Sequence, residues 1–256
     1  MPSPAERAAP LQRAPAPLPS LCIFGDSHIA SVKHALDRGL LPRVTDHLEF
    51  WGAYGPAFRA LEFRDNTILP GDAAAREMVC RINGAGREAL GGGDFAGYLF
   101  YGARLRMADF MPPLLETLCA GGHLSAAVQR KVARRFLRGT KAYRIACAFA
   151  RATPGLTIAF VPAPLLTRGV GSPGRVYPGA DGATAEQRDA IRGWLDREAA
   201  QDGIRLLHQP EETITAGYWT DPAWASDEAG QEDDPVHKNA AFAARMVEVF
   251  RDSLAG

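Results

Sequence analysis

The sequence contains no apolar run approaching the eighteen or so residues that cross a bilayer, and its opening stretch MPSPAERAAPLQRAPAPLPS lacks the apolar centre of a secretory signal. No membrane span is expected, and the cytoplasm is the expected compartment. Excess charge is missing too: 29 basic residues stand against 29 acidic ones, a formal net charge of zero, so no binding to nucleic acid is expected. Cysteine is scarce. Cys22, Cys80, Cys119 and Cys147 lie far apart without a CxxC pair, which argues against zinc or disulfide spacing and for reduced, mostly buried thiols. His34, His47, His123 and His208 have no second ligand at metal-site spacing, so neither a catalytic metal nor another cofactor is expected. The first turn also lacks the glycine patterns of dinucleotide-binding and phosphate-binding loops.

What is present suits one globular domain: 256 residues, 46% hydrophobic and 23% charged, enough chain to bury a sizeable core. The proline-rich first twenty residues are expected to form a mobile arm, with the domain over 21–256. Short apolar runs at 21–24, 48–51, 98–101, 156–161 and 204–207 read as strands separated by helical stretches. Strands alternating with helices imply an α/β fold, a parallel sheet covered on both faces. The clearest helix is 184–200, with Ile191, Trp194 and Leu195 inward and Glu186, Arg188, Asp189 and Arg192 available to solvent. A last helix is expected over about 237–254, with Ala241, Phe242, Met246, Val249 and Phe250 as its inward stripe.

Residues 125–151 carry Arg130, Lys131, Arg134, Arg135, Arg138, Lys141, Arg144 and Arg151 and no acidic residue. A basic helical insertion is therefore expected around 112–151. It reads either as a solvated helix face or as a surface for an anionic ligand, whether acidic polymer, phosphate group or lipid head. The acidic stretch 221–234 is an alternative balance for it.

Gly25-Asp26-Ser27-His28 follows the first strand and opens the first helix, which puts Ser27 at the carboxyl edge of the sheet, where open α/β folds bind ligands. There its hydroxyl is a candidate nucleophile and its own N–H a candidate oxyanion donor. The competing reading is that Ser27 or Asp26 simply caps the helix. Near the other end, Asp234-Pro235-Val236-His237-Lys238-Asn239 precedes the last helix. An imidazole can take a serine proton near neutral pH, and a carboxylate three residues upstream can fold back to orient it. Ser27, His237 and Asp234 are accordingly the catalytic candidates.

These two blocks, GDSH and DPVHKN, resemble the first and last sequence blocks of the SGNH/GDSL hydrolases and stand in the same order. The resemblance implies a three-layer αβα fold with a flavodoxin-like five-stranded parallel sheet, and hydrolysis of carboxyl esters or transfer of acyl groups. It also implies an oxyanion glycine after the second strand, for which Gly55 is the candidate and Gly52 the fallback. Both glycines are equally readable as turn residues. The third block departs from the family: where glycine is followed by Asn-Asp, this chain has Tyr101-Gly102-Ala103-Arg104. Arg104 takes the asparagine's place, as an oxyanion donor, an anion-binding group or a structural ion pair. Asn83 precedes the third strand and reads as a turn or strand residue.

The substrate-binding candidates are His28, beside the nucleophile, Gly52, and Trp219 and Trp224 in the loop leading to Asp234. The tryptophans read as stacking groups for a sugar or acyl chain or as loop packing. Pro162-Ala163-Pro164 is a candidate rim of the site. The expected function is a serine-dependent ester hydrolase removing a short acyl group such as O-acetyl from a carbohydrate or small molecule. An acyltransferase using the same residues, or a catalytically silent binding module, are the alternatives.

Overall fold

The computed structural model describes residues 17–171 and 175–255. Of the expected arm, residues 1–16 lie outside the described residues, and pairing begins earlier than expected: the Leu18 N–H donates to the Val44 carbonyl at 2.9 Å and Leu18 bridges Thr45 in parallel.

Five strands form the central sheet: β1 (Leu21–Gly25), β2 (Leu48–Gly52), β6 (Gly97–Arg106), β7 (Thr157–Ala163) and β8 (Arg205–Leu206), all parallel, in the order β2-β1-β6-β7-β8. Counted along the chain within this sheet, the order is 2-1-3-4-5, the flavodoxin-like arrangement. Alternation along the strands splits the core into two layers. Cys22, Phe24, Trp51, Phe100 and Phe160 face one side, covered by α2 (Gly55–Ala60), α3 (Ala73–Asn83), α4 (Met107–Cys119), α5 (Ala126–Gly139), α6 (Lys141–Ala152) and α7 (Ala185–Gln201). Leu21, Ile23, Phe50, Leu99 and Val161 face the other, covered by α1 (Ile29–Asp37) and α9 (Ala240–Ser253). The fold is thus a three-layer αβα sandwich. Phe100 ties the first layer together, its ring 5.0 Å from Phe24 and 5.5 Å from Phe160.

Outside the sheet lie a hairpin and two short additions that sequence periodicity does not anticipate. β3 (Leu61–Arg64) and β4 (Thr67–Pro70) pair antiparallel, with β5 (Leu90–Gly91) added to β4, and β9 (Ile214–Thr215) pairs β10 (Trp219–Thr220). A single helical turn, α8 (Ala229–Glu232), precedes Asp234. Among the described residues no helix is long and apolar enough to cross a membrane.

Two helix expectations need correction. On α7, Ile191, Trp194 and Leu195 are buried as expected, but Arg188 and Arg192 are buried as well. Their guanidinium tips reach the Glu211 carboxylate and the carbonyls of Ala183, Gly217 and Gln209, so the charges enter the interior paired. The last helix starts at Ala240, because the Asn239 side chain accepts the Phe242 N–H at 2.9 Å and caps it. Its Ala241 is exposed, and the inward stripe runs through Phe242, Ala243, Met246, Val247 and Phe250.

The basic stretch forms α5 and α6. Its partial charge balance comes from α7 and the residue that ends it instead of the acidic 221–234 stretch: Arg134 pairs with Glu198 and Arg138 with Asp202. Asp227 pairs with Arg38 and Asp234 with His237.

Candidate active site

The sheet order reverses between β1 and β6, and in open α/β sheets ligands bind outside the strand ends at such a reversal. The end of β1 is held close to its neighbours by glycines. A Cβ on Gly25 would stand 2.2 Å from the Tyr101 carbonyl oxygen, and one on Gly52 would stand 2.0 Å from the Gly25 carbonyl oxygen. Gly52 is therefore explained by close backbone approach, and a substrate-contact role is not needed for it.

Beyond Gly25 the chain turns sharply into α1, with the Ile29 N–H donating to the Asp26 carbonyl at 3.1 Å and the Ala30 N–H to the Ser27 carbonyl at 3.2 Å. No side chain caps α1, so the capping reading of Ser27 does not describe its hydroxyl. The Ser27 Oγ instead stands 2.8 Å from His237 Nε2. Asp26 ties two loops together: its carboxylate accepts the His28 N–H at 3.3 Å and the Arg104 N–H at 3.2 Å.

His237 Nδ1 lies 2.5 Å from Asp234 Oδ2, and the other Asp234 oxygen accepts the N–H groups of Val236 at 2.8 Å and His237 at 3.3 Å. Burial opposes ionisation of Asp234, but the hydrogen bond from His237, the Val236 N–H and the imidazole charge outweigh it and hold the carboxyl below its ordinary range. An ionised Asp234 fixes the imidazole with its Nδ1 proton inward and Nε2 facing the serine hydroxyl. The loop itself is anchored by bonds from the Thr167 N–H to the Pro235 carbonyl at 2.8 Å and from Asn239 to the Trp224 carbonyl at 3.1 Å.

Arg104 and Gly55 meet, though in an unexpected pairing: Arg104 Nη2 donates to the Gly55 carbonyl at 3.0 Å, and the guanidinium lies over the Phe58 ring at 5.5 Å. Its Nε is buried and has no hydrogen-bond partner among the described residues. Gly102, Ala103 and Arg104 all take positive φ, 69°, 43° and 64°, where the β6–β7 register slips. Left-handed backbone at two side-chain-bearing residues costs about 1 kcal/mol each, and such strain clusters at functional loops.

The remaining candidates fall elsewhere. His28 is buried between the His237 ring, 5.0 Å away, and the Gly102 backbone. Burial pushes its pKa down to about 4 against the pull of Asp26, with the charges of His237, Lys238 and Arg106 adding to the effect. It packs on His237, and at 6% exposure it offers little surface to a substrate. Trp224 packs edge-on to Phe242 at 6.2 Å. Trp219 lies on Tyr218 at 4.6 Å and donates to Asp181 at 3.2 Å. Neither tryptophan lines the pocket at Ser27, because both are engaged in packing the 219–224 loop. Pro162, Ala163 and Pro164 are buried and form no rim. Asn83 orders the turn after α3, its side chain accepting the Ala85 N–H at 2.8 Å.

Two features of the site carry no sequence signal. A pocket of about 130 Å³ opens beside Ser27, walled by Ile29, Ala30, Phe50, Tyr54 and Ile82, with Asp26 and Lys33 as its charged members. Its walls come from four separate segments, which no local pattern brings together. The second is Lys238, 4% exposed, whose ammonium donates to the carbonyls of Pro235 at 2.9 Å and Val236 at 2.8 Å. Burial pushes its pKa down to about 7, with Asp234 pulling the other way.

Lys238 therefore carries a testable signature. Between about pH 7 and the ordinary lysine range the unfolded chain holds a proton that the folded chain has lost, so the contribution to stability grows with rising pH and is lost as pH falls through about 7. Urea unfolding from pH 7 to 9 should show wild type gaining about 1 kcal/mol per pH unit relative to Lys238→Met. Parallel pH curves for the two proteins would refute the assignment.

Among the described residues, no group of three or more His, Cys, Asp or Glu side chains is arranged to hold a metal ion. All four cysteines are free.

No family model and no curated protein sequence matches the chain. Among solved structures, it is similar to an extracellular lipase of Streptomyces rimosus at 15% identity and TM-score 0.40, covering 91% of this chain and 98% of that one. A GDSL-like lipase of Bacteroides thetaiotaomicron is similar at 10% identity and TM-score 0.40, covering 92% and 87%. The periplasmic domain of a Salmonella Paratyphi A lipopolysaccharide acetyltransferase is similar at 10% identity and TM-score 0.41, covering 93% and 84%. Superpositions this loose assign no chemistry to the chain.

Proposed function

We propose that the protein is a serine-dependent ester hydrolase of the SGNH/GDSL type. The observation that supports it most is the continuous chain of contacts from Ser27 Oγ to His237 Nε2 at 2.8 Å and from His237 Nδ1 to Asp234 at 2.5 Å. Ser27 and His237 are separated by 210 positions in the sequence, and a helix cap or surface histidine has no need of such an alignment.

In this mechanism Ser27 attacks the ester carbonyl while His237 Nε2 takes the hydroxyl proton and Asp234 stabilises the imidazolium. The carbonyl electrons move onto the oxygen, which the Ser27 and Gly55 N–H groups receive. Collapse of the tetrahedral intermediate breaks the ester C–O bond, and His237 returns its proton to the departing alcohol. Water, deprotonated by His237, then releases the acid from the acyl-enzyme.

Arg104 supplies the third oxyanion donor in place of the family's asparagine: Asp26, next to Ser27, accepts its backbone N–H, and its guanidinium is braced on the Gly55 carbonyl. Arg104→Met should lower kcat by roughly 100-fold with little change in KM. An unchanged kcat would assign Arg104 to structure alone.

With Trp219 and Trp224 engaged in packing the 219–224 loop, the apolar walls of the pocket at Ser27 support a carboxyl ester of a short acyl group as the substrate class. Hydrolysis of p-nitrophenyl esters in the presence of hydroxylamine tests the reaction type. Above the uncatalysed reaction of hydroxylamine with the ester, the acyl-enzyme should divert to hydroxamate without slowing p-nitrophenol release, and Ser27→Ala should add neither product to that background. Release by Ser27→Ala at the wild-type rate would overturn the proposal.

A further inference from the structure

The pocket beside Ser27 bears on which acyl group the site accepts, an inference that rests on Ser27 as nucleophile. Its walls are Ile29 and Ala30 of α1, Phe50 of β2, Tyr54 of the following loop and Ile82 of α3. Tyr54 is fixed as part of that wall: its N–H donates to Met78 Sδ at 3.2 Å and its hydroxyl accepts from Arg81 at 3.1 Å. Ile29 and Phe50 are almost fully buried, so this wall is set by the core.

Geometry decides which half of an ester can enter. His237 must protonate the departing alcohol, so the alcohol leaves past His237. The pocket is lined by no residue of the 234–238 loop, and it therefore lies on the acyl side of the scissile bond. Its capacity follows from its volume: an apolar cavity of about 150 Å³ accepts benzene, six carbon atoms, and this one measures about 130 Å³.

We propose that the pocket bounded by Ile29, Ala30, Phe50, Tyr54 and Ile82 receives the acyl chain and selects straight chains of about four to six carbons. Acetyl leaves most of the pocket empty, and longer chains run past its walls and gain no further contact. Each methylene buried against these walls raises kcat/KM about fourfold until the pocket is full.

The experiment measures kcat/KM for p-nitrophenyl esters of two to twelve carbons with wild type, Ala30→Leu and Ile82→Ala, each also treated with a small fluorophosphonate. Wild type should rise by at least tenfold from two to four carbons, reach its maximum by about six and gain nothing beyond it. Ala30→Leu, at an exposed position on α1, should move the maximum toward two carbons, and Ile82→Ala should move it toward eight. All three proteins should still react with the fluorophosphonate. A flat wild-type profile, or variants that slow every ester equally while still reacting, overturns the pocket assignment and leaves Ser27 standing. Loss of fluorophosphonate reaction in wild type overturns both.

Discussion

Ser27→Ala and His237→Ala are each expected to lower kcat/KM on a short ester by roughly 10⁴-fold or more, and the double variant to fall no further. The equality is the informative part. If the imidazole acts only by taking the Ser27 proton across their 2.8 Å contact, removing either partner removes the same event, and the second substitution has nothing left to abolish. Two residues contributing separately would give losses that multiply. Asp234→Asn should cost nearly as much with the fold intact, because the neutral amide favours the wrong imidazole tautomer. Measured values for the three single variants and the double variant decide between one unit and several.

Arg188→Met is expected to destabilise the protein by about 3 kcal/mol, the cost typical of breaking a buried ion pair by removing one partner. Arg188 meets the Glu211 carboxylate and donates to the carbonyls of Ala183 at 2.9 Å and Gly217 at 2.7 Å, and its side chain is only 10% exposed. Arg192 still reaches Glu211 in the variant, which keeps the loss near the lower end of the range. Arg43→Ala, which breaks an exposed pair with Asp46, should change stability by less than about 1 kcal/mol. Urea midpoints of the two variants against wild type give the comparison, and equal shifts would show that the buried network carries no special weight.

That network reaches the candidate site through a chain of hydrogen bonds. Arg192 donates to the Gln209 carbonyl at 2.8 Å, and the Gln209 side chain accepts the Leu165 N–H and donates to Thr220 Oγ1, both at 3.0 Å. Two residues past Leu165, the Thr167 N–H holds the Pro235 carbonyl beside Asp234. The loop that carries Asp234 and His237 is thereby braced from α7.

The sheet was legible in the sequence because β1 and β7, and the first half of β6, are apolar runs buried on both faces, which leaves no polar alternation to obscure them. Ser27 sits where β1 turns into α1, while Asp234 and His237 lie in the loop between α8 and α9, so their contacts join two segments from opposite ends of the chain. Arg188 and Arg192 were misread because a long cation on a helix face looks the same whether it meets water or a distant carboxylate such as Glu211. Trp219 and Trp224 were open to two readings, and only the positions of Tyr218 and Phe242 separate them. Other misses had local signals. Asp65-Asn66, both at positive φ, form the two-residue turn of the β3–β4 hairpin, a pairing that Asn and Asp favour. Asn239 before Ala240 is likewise a plain helix-start signal that the expected start at His237 overlooked.

The central claim is that Ser27 is a nucleophile activated by His237, and covalent labelling tests it most directly. Purified protein is treated with a fluorophosphonate, digested, and the modified residue located by mass spectrometry, beside folded Ser27→Ala and His237→Ala proteins. The account predicts modification of Ser27 alone in wild type, none in Ser27→Ala and a rate lower by orders of magnitude in His237→Ala. A folded wild-type protein that stays unmodified, or one modified equally fast without His237, would contradict it.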